Sequence, residues 1–147
     1  MGRRQEFTLV TLAGLVLAGL LSIGIAAPWT FVHDDNGAWT QVVATAHLRA
    51  GLARTHGQDF MLRRDGVLLP YLHHPPLYPL VVAAVYHLTG RSDPLVTRMI
   101  PAVFHLLGFV GAWMLARILF PESPARRLIA VFLHALVPMS SFFGKMP

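Results

Sequence analysis

Cysteine is absent from the 147 residues, which excludes a disulfide framework and any thiolate-bound metal. Charge is scarce as well. Asp, Glu, Lys and Arg make up 13% of the chain against 54% hydrophobic residues, and the mean hydropathy is +0.54. An ordinary soluble domain of this size carries more charge and less apolar surface, so lipid is the expected solvent for much of the chain. Acidic residues are the rarer sign, seven against twelve basic ones, for a net charge of +5. The basic residues stand singly or in pairs among apolar runs. They form no basic stripe and no stacking-aromatic motif, so nucleic acid is not an expected partner and lipid phosphates take its place.

What the chain does contain is long apolar runs. After Arg3 and Arg4, residues 7–27 carry no charge, and about 21 residues at ~1.5 Å each just cross a ~30 Å hydrocarbon core. This is the first expected span. The run is longer than the h-region of a cleaved signal peptide, and Ala26-Ala27-Pro28 is a poor cleavage site. The arginine pair places the N-terminus in the cytoplasm. Residues 95–120 form a second expected span, interrupted early by Arg98 and Pro101, and residues 128–143 a third.

Residues 28–94 read as an outer loop. Asp35 or Asn36 can cap a helix whose apolar face runs through Trp39, Val42, Val43 and Ala46, with Gln41, Thr45 and Arg49 turned away from it. Leu77 to Leu88, opened by Pro75-Pro76 and closed by Thr89-Gly90, is about a dozen residues long. That suits an interfacial helix better than a span. The expected fold class is therefore all-α: a polytopic transmembrane helical bundle with interfacial helices in its first outer loop. Three spans make a thin bundle, which suggests the N-terminal part of a longer protein.

Two clusters carry candidate chemistry. His33-Asp34-Asp35 stands directly after the first span. It is either a helix cap with a solvated charge, or a general base with a neighbouring carboxylate that holds geometry or a divalent metal. In Tyr71-Leu72-His73-His74-Pro75-Pro76-Leu77-Tyr78-Pro79 the prolines keep the histidines on an extended arm, either a rigid turn or a contact for an anionic headgroup. The pair lacks the spacing of a helical zinc site, so no metal ligands are assigned. Arg98 is either a snorkelling interfacial arginine or a phosphate clamp, because charge inside a span needs an interface or a partner. His105 and His134, within apolar runs, are expected to pack between helices.

In their order and separation these features resemble the N-terminal part of the polyprenyl-phosphate-dependent glycosyltransferases of the GT-C fold. That group includes the protein O-mannosyltransferases and the bacterial lipid A aminoarabinose transferases. The matching residues are His33-Asp34-Asp35, Arg49-Ala50-Gly51-Leu52, His74-Pro75-Pro76-Leu77-Tyr78-Pro79, Gly90 and Arg98-Met99-Ile100-Pro101-Ala102. The resemblance implies a multi-pass enzyme of the bacterial inner membrane. It would move a sugar from a polyprenyl-phosphate carrier to a glycan, lipid or protein acceptor at the outer face. It further implies Asp34 and Asp35 as catalytic residues and His73, His74, Tyr78 and Arg98 as substrate-binding residues. The family more often has glutamate second in the acidic pair, so the base lies between Asp34 and Asp35. A lysine is frequent before its proline pair, where this chain has His73 and His74. No cofactor is required by this reading, and a divalent metal is compatible with it. The competing reading is a non-enzymatic membrane subunit or transporter piece whose acids and histidines bind an ion.

Three spans put residue 144 on the outer side. A Gly144→Cys variant of this cysteine-free chain is expected to react with a membrane-impermeant maleimide added outside intact cells. Labelling only after permeabilisation would refute that topology.

Overall fold

The computed structural model describes residues 2–30, 35–62, 65–70 and 76–136. Six helices and one short hairpin occur among them: α1 (Arg3–Ser22), α2 (Asp35–Ala50), α3 (Leu52–Thr55), β1 (Phe60–Leu62), β2 (Leu68–Pro70), α4 (Leu77–Thr89), α5 (Pro94–Leu119) and α6 (Pro124–Leu136). The chain divides into two compact units, Met1–Ile25 with Pro101–Met146, and Ala26–Ile100 with Pro147.

In the first unit α1 begins four residues before the expected apolar run. The side-chain oxygen of Gln5 accepts the Gly2 N–H at 3.1 Å, supplying a partner at the helix start. The helix also stops earlier than residue 27, because Ile23 turns extended and Gly24 takes a left-handed φ of +69°. α6 starts at Pro124 rather than at 128, with the Ser123 carbonyl accepting the Arg127 N–H at 3.2 Å. The part of the expected third span beyond 136 lies outside the described residues. Val10, Ala13, Leu17 and Leu21 recur along α1 and bury against Val131 and Ala135 of α6 and Phe109 of α5. Gly14 makes that approach close, since a Cβ there would lie 3.2 Å from the Phe109 ring.

α1 and α5 are long and apolar enough to cross a membrane, and only 28% and 22% of their apolar windows are buried. Their outward faces carry Leu12, Leu15, Phe104, Leu107, Met114 and Ile118, all more than half exposed. An apolar surface of that extent is matched to lipid rather than to water. Against lipid, burying a leucine gains little transfer energy, so close packing and polar contacts hold such helices together. The main polar contact here is Glu6 with Arg127, where Arg127 Nε donates to Oε1 at 2.7 Å and Nη2 to Oε2 at 2.6 Å. The same guanidinium donates to the Phe120 and Pro121 carbonyls at 2.8 and 2.7 Å.

In the second unit α2 packs on α4, with Ala44 against Val82, Ala83 and Tyr86. Of the expected apolar stripe, Val43 and Ala46 are buried and Trp39 is partly buried, whereas Val42 is half exposed. The buried face is wider than the stripe, because Thr40, Ala44 and His47 are drawn inward as well. α4 ends where Gly90, at φ +68°, donates its N–H to the Tyr86 carbonyl at 2.9 Å. At 13 residues the helix is about 20 Å long, short of a bilayer core.

The all-α expectation needs one correction. β1 and β2 pair antiparallel, with Phe60 opposite Pro70, Met61 opposite Leu69 and Leu62 opposite Leu68. Asp65 and Gly66 turn the chain between them. The Asp65 carboxylate accepts the Val67 N–H at 3.2 Å, and Gly66 adopts a φ of +80° that other residues resist.

Replacing Glu6 by Gln leaves the Arg127 guanidinium with an uncharged partner in a poorly hydrated place. A drop of several degrees in the thermal midpoint in detergent is expected, and the Glu6→Arg/Arg127→Glu exchange should restore most of it. Equal loss in single and exchanged variants would show that the pair contributes nothing specific.

Candidate functional site

The second unit gathers several sequence-distant polar groups at the head of α5. Asp93 caps that helix: its Oδ1 accepts the Val96 N–H at 3.2 Å and its Oδ2 the Arg91 Nε–H at 2.8 Å. Burial raises the Asp93 pKa, but these two donors outweigh it and hold the carboxyl below its ordinary value. One turn on, Arg98 is 5% exposed. Its guanidinium donates to the Ala27 carbonyl and lies over the Trp29 ring, 4.1 Å from the centroid. The Trp29 indole N–H in turn donates to the Gln41 side-chain oxygen, and Gln41 Nε2 donates to the Ser92 carbonyl at 2.7 Å. Trp29 and Gln41 thus tie the segment before α2, α2 itself and the entry to α5 into one clamp.

Tyr78 joins the same place from α4. Pro101 has no N–H to donate to the carbonyl four residues back, which leaves the Thr97 carbonyl open within the helix. The Tyr78 hydroxyl donates to that carbonyl at 3.4 Å, and the Thr97 hydroxyl bonds the Tyr86 hydroxyl. Burial, with the neighbouring Tyr86, pushes the Tyr78 phenol far above its usual value, so it stays a neutral donor.

A second feature lies between α2, α3 and α4. His47, 3% exposed, bonds through Nδ1 to the Thr55 hydroxyl at 2.9 Å. That hydroxyl spends its one proton on the Gly51 or Leu52 carbonyl, at 3.2 and 3.4 Å. The ring therefore donates from Nδ1 and carries its lone pair at Nε2, which has no hydrogen-bond partner among the described residues. Burial lowers the His47 pKa and keeps the imidazole neutral. His47 borders an apolar cavity of about 650 Å³ whose walls include Leu48, Leu52, Leu80, Ala83 and His87.

Of the residues singled out in the sequence, Tyr78 bonds the backbone one residue before Arg98, whereas the Arg98 side chain engages the Ala27 carbonyl and the Trp29 ring. Asp35 opens α2, two turns before Gln41, and its side chain lies outside the described residues. Asp34, His73 and His74 also lie outside them. No group of three metal-ligating side chains occurs among the described residues. His105 and His134 do meet between helices, their rings stacked at 4.9 Å. The sequence reading missed Trp29, Gln41 and His47, whose roles depend on partners 8 to 69 residues away. The one available signal was Trp29 itself, an aromatic at the exit of an apolar run, where an interfacial anchor is expected.

No protein-family model, curated protein or solved structure matches this chain.

The His47 environment fixes a pH dependence. The unfolded ring titrates near its ordinary value of 6.5, while the folded ring resists protonation, so the unfolded state binds the extra proton first. Stability of the α2–α4 pairing is full above 6.5 and falls as the pH drops below it. Asp93, with its depressed pKa, acts in the same direction in a lower window, losing its contribution as pH falls below the ordinary carboxyl value of 3.8. Thermal midpoints measured between neutral and mildly acidic pH should fall in the wild type and fall less in His47→Asn; parallel slopes would remove His47 as the cause.

Proposed function

We propose that this chain is the front part of a multi-pass membrane glycosyltransferase that takes a sugar from a polyprenyl-phosphate carrier and delivers it to an acceptor at the outer membrane face. The clamp carries the reading. It joins α2, the helix that opens at the acidic pair, to the head of α5, where Arg98 sits. A transferase of this kind needs a carboxylate near the acceptor and cations near the departing lipid phosphate, both close to the membrane surface.

The chemistry follows from where charge develops. As the sugar leaves, negative charge grows on the carrier phosphate, and aimed cations stabilise it. In this reading His73 and His74 meet that phosphate, and Arg98 borders the same site with one edge held by the Ala27 carbonyl. Asp34 or Asp35 removes the acceptor's proton as the new bond forms. Tyr78 fixes the orientation of α4 against the turn that carries Arg98. The apolar cavity near His47 gives a prenyl chain a dry wall to follow. The first helix and α5 span the bilayer in this topology, with Arg3 and Arg4 on the cytoplasmic side.

The test is transfer of radiolabelled sugar from a polyprenyl-phosphate donor in membranes holding the full-length protein, comparing wild type with Asp34→Asn and Asp35→Asn at matched expression. Loss of a catalytic base is expected to lower transfer by about 10²-fold to 10⁴-fold in one variant. Wild-type rates in both would favour an ion-binding or structural membrane subunit.

A further inference from the structure

The first unit holds a polar cavity of about 470 Å³ at the start of α1, bordered by Arg3, Glu6, Phe7, Trp113, Arg117 and Arg127. Its charges do not cancel. Arg127 engages both oxygens of Glu6 and two backbone carbonyls, so that pair is internally neutral. Arg3 and Arg117 remain, and neither guanidinium makes an ion pair or a hydrogen bond among the described residues. Arg117 lies 5.4 Å from the centroid of the Trp113 ring. With three arginines and one glutamate, the cavity carries a net charge of +2. Glu6 does not repel an incoming anion because its carboxylate is already spent.

The apolar side of the cavity says what kind of anion fits. Phe7 and Trp113 meet edge to face at 6.2 Å and form one wall. Beside them Met114, Leu115 and Ile118 of α5 are all more than half exposed. A free phosphate ion has no use for that surface, whereas a lipid can set its phosphate between the arginines and run its chains along α5. Tryptophan is a side chain favoured near a headgroup boundary, and paired arginines near helix ends attract anionic lipid. The volume lies in the range of small-molecule sites.

We propose that this cavity is a binding site for the phosphodiester headgroup of an anionic membrane lipid, with Arg3 and Arg117 holding the phosphate and the Phe7–Trp113 wall packing against the glycerol and first chain carbons beside it. The site lies in a different unit from the transferase residues and stands or falls without them.

The chain in phosphatidylcholine nanodiscs, titrated with dibrominated phosphatidylglycerol, provides the readout. Bromine quenches nearby indole fluorescence, and subtracting the emission of Trp113→Phe isolates the Trp113 signal. Brominated phosphatidylglycerol should quench Trp113 at a lower mole fraction than brominated phosphatidylcholine. Each arginine near a surface contributes about fivefold, so Arg3→Gln/Arg117→Gln should raise the half-quenching fraction by about thirtyfold. Arg3→Lys/Arg117→Lys, which keeps the charge, should retain most of the preference and shows that loss in the Gln pair is not misfolding. Arg126→Gln removes an exposed arginine that does not border the cavity and should change little. Equal quenching by the two lipids overturns the proposal, as does an equal loss in Arg126→Gln. Full displacement by inorganic phosphate at constant ionic strength also overturns it, because the site would then belong to a free anion.

Discussion

A guanidinium taken out of water must find its hydrogen-bond partners inside the protein, since an unpaired one costs several kcal/mol. Among the described residues Arg98 is buried and Arg127 partly so, one in each compact unit. Each is answered by groups far away in sequence. Arg98 reaches a carbonyl 71 residues earlier, and Arg127 a carboxylate 121 residues earlier. In both places backbone carbonyls that no helix has used serve as acceptors. Helix ends and the segments that follow them supply such carbonyls in abundance, so charge burial and chain punctuation are solved together. Apolar packing alone would leave the sliding and rotation of neighbouring helices poorly determined; a donor with fixed geometry determines both.

The helices were legible wherever an apolar run met a strong breaker. α4 and α5 begin and end within a residue of their expected limits, because Pro76, Gly90, Pro94 and Pro121 bracket them. α1 was displaced toward the N-terminus, since hydropathy ignores that Arg3, Arg4 and Glu6 are good helix formers once Gln5 answers the Gly2 N–H. The hairpin was missed although its signal is present: Asp65-Gly66 between two short apolar stretches. Strands of three residues fall below what alternation can reveal. The full width of the buried face of α2 escaped for a different reason. Beyond Val43 and Ala46 it takes in Thr40 and His47, polar residues that hydropathy assigns to water.

The candidate site was legible in part. Arg98 and Tyr78 drew notice by residue type and by position near a proline. Nothing in the sequence says that Pro101 opens the Thr97 carbonyl and that a tyrosine from another helix fills it. That is a tertiary consequence of one missing donor. It also changes the view of Pro101, which in a sequence reads as a break in a span. Here the helix continues through it, and the vacated acceptor becomes the point where α4 is fastened.

The spacing of charges along α5 has a consequence for the membrane itself. The helix of 26 residues is about 39 Å long, more than a typical hydrocarbon core. Arg98 and Arg117, however, bound an uncharged stretch from Met99 to Ala116 of 18 residues, or about 27 Å. Standing upright, that stretch suits a thin bilayer; in a thicker one the helix cannot gain reach by tilting, because its uncharged length is already the shorter dimension. The bilayer must then thin around it, or Arg117 must bend toward the headgroups, since Arg98 is held by the Ala27 carbonyl and the Trp29 ring. In a helix that crosses the membrane, arginines so spaced set the bilayer thickness it fits without strain.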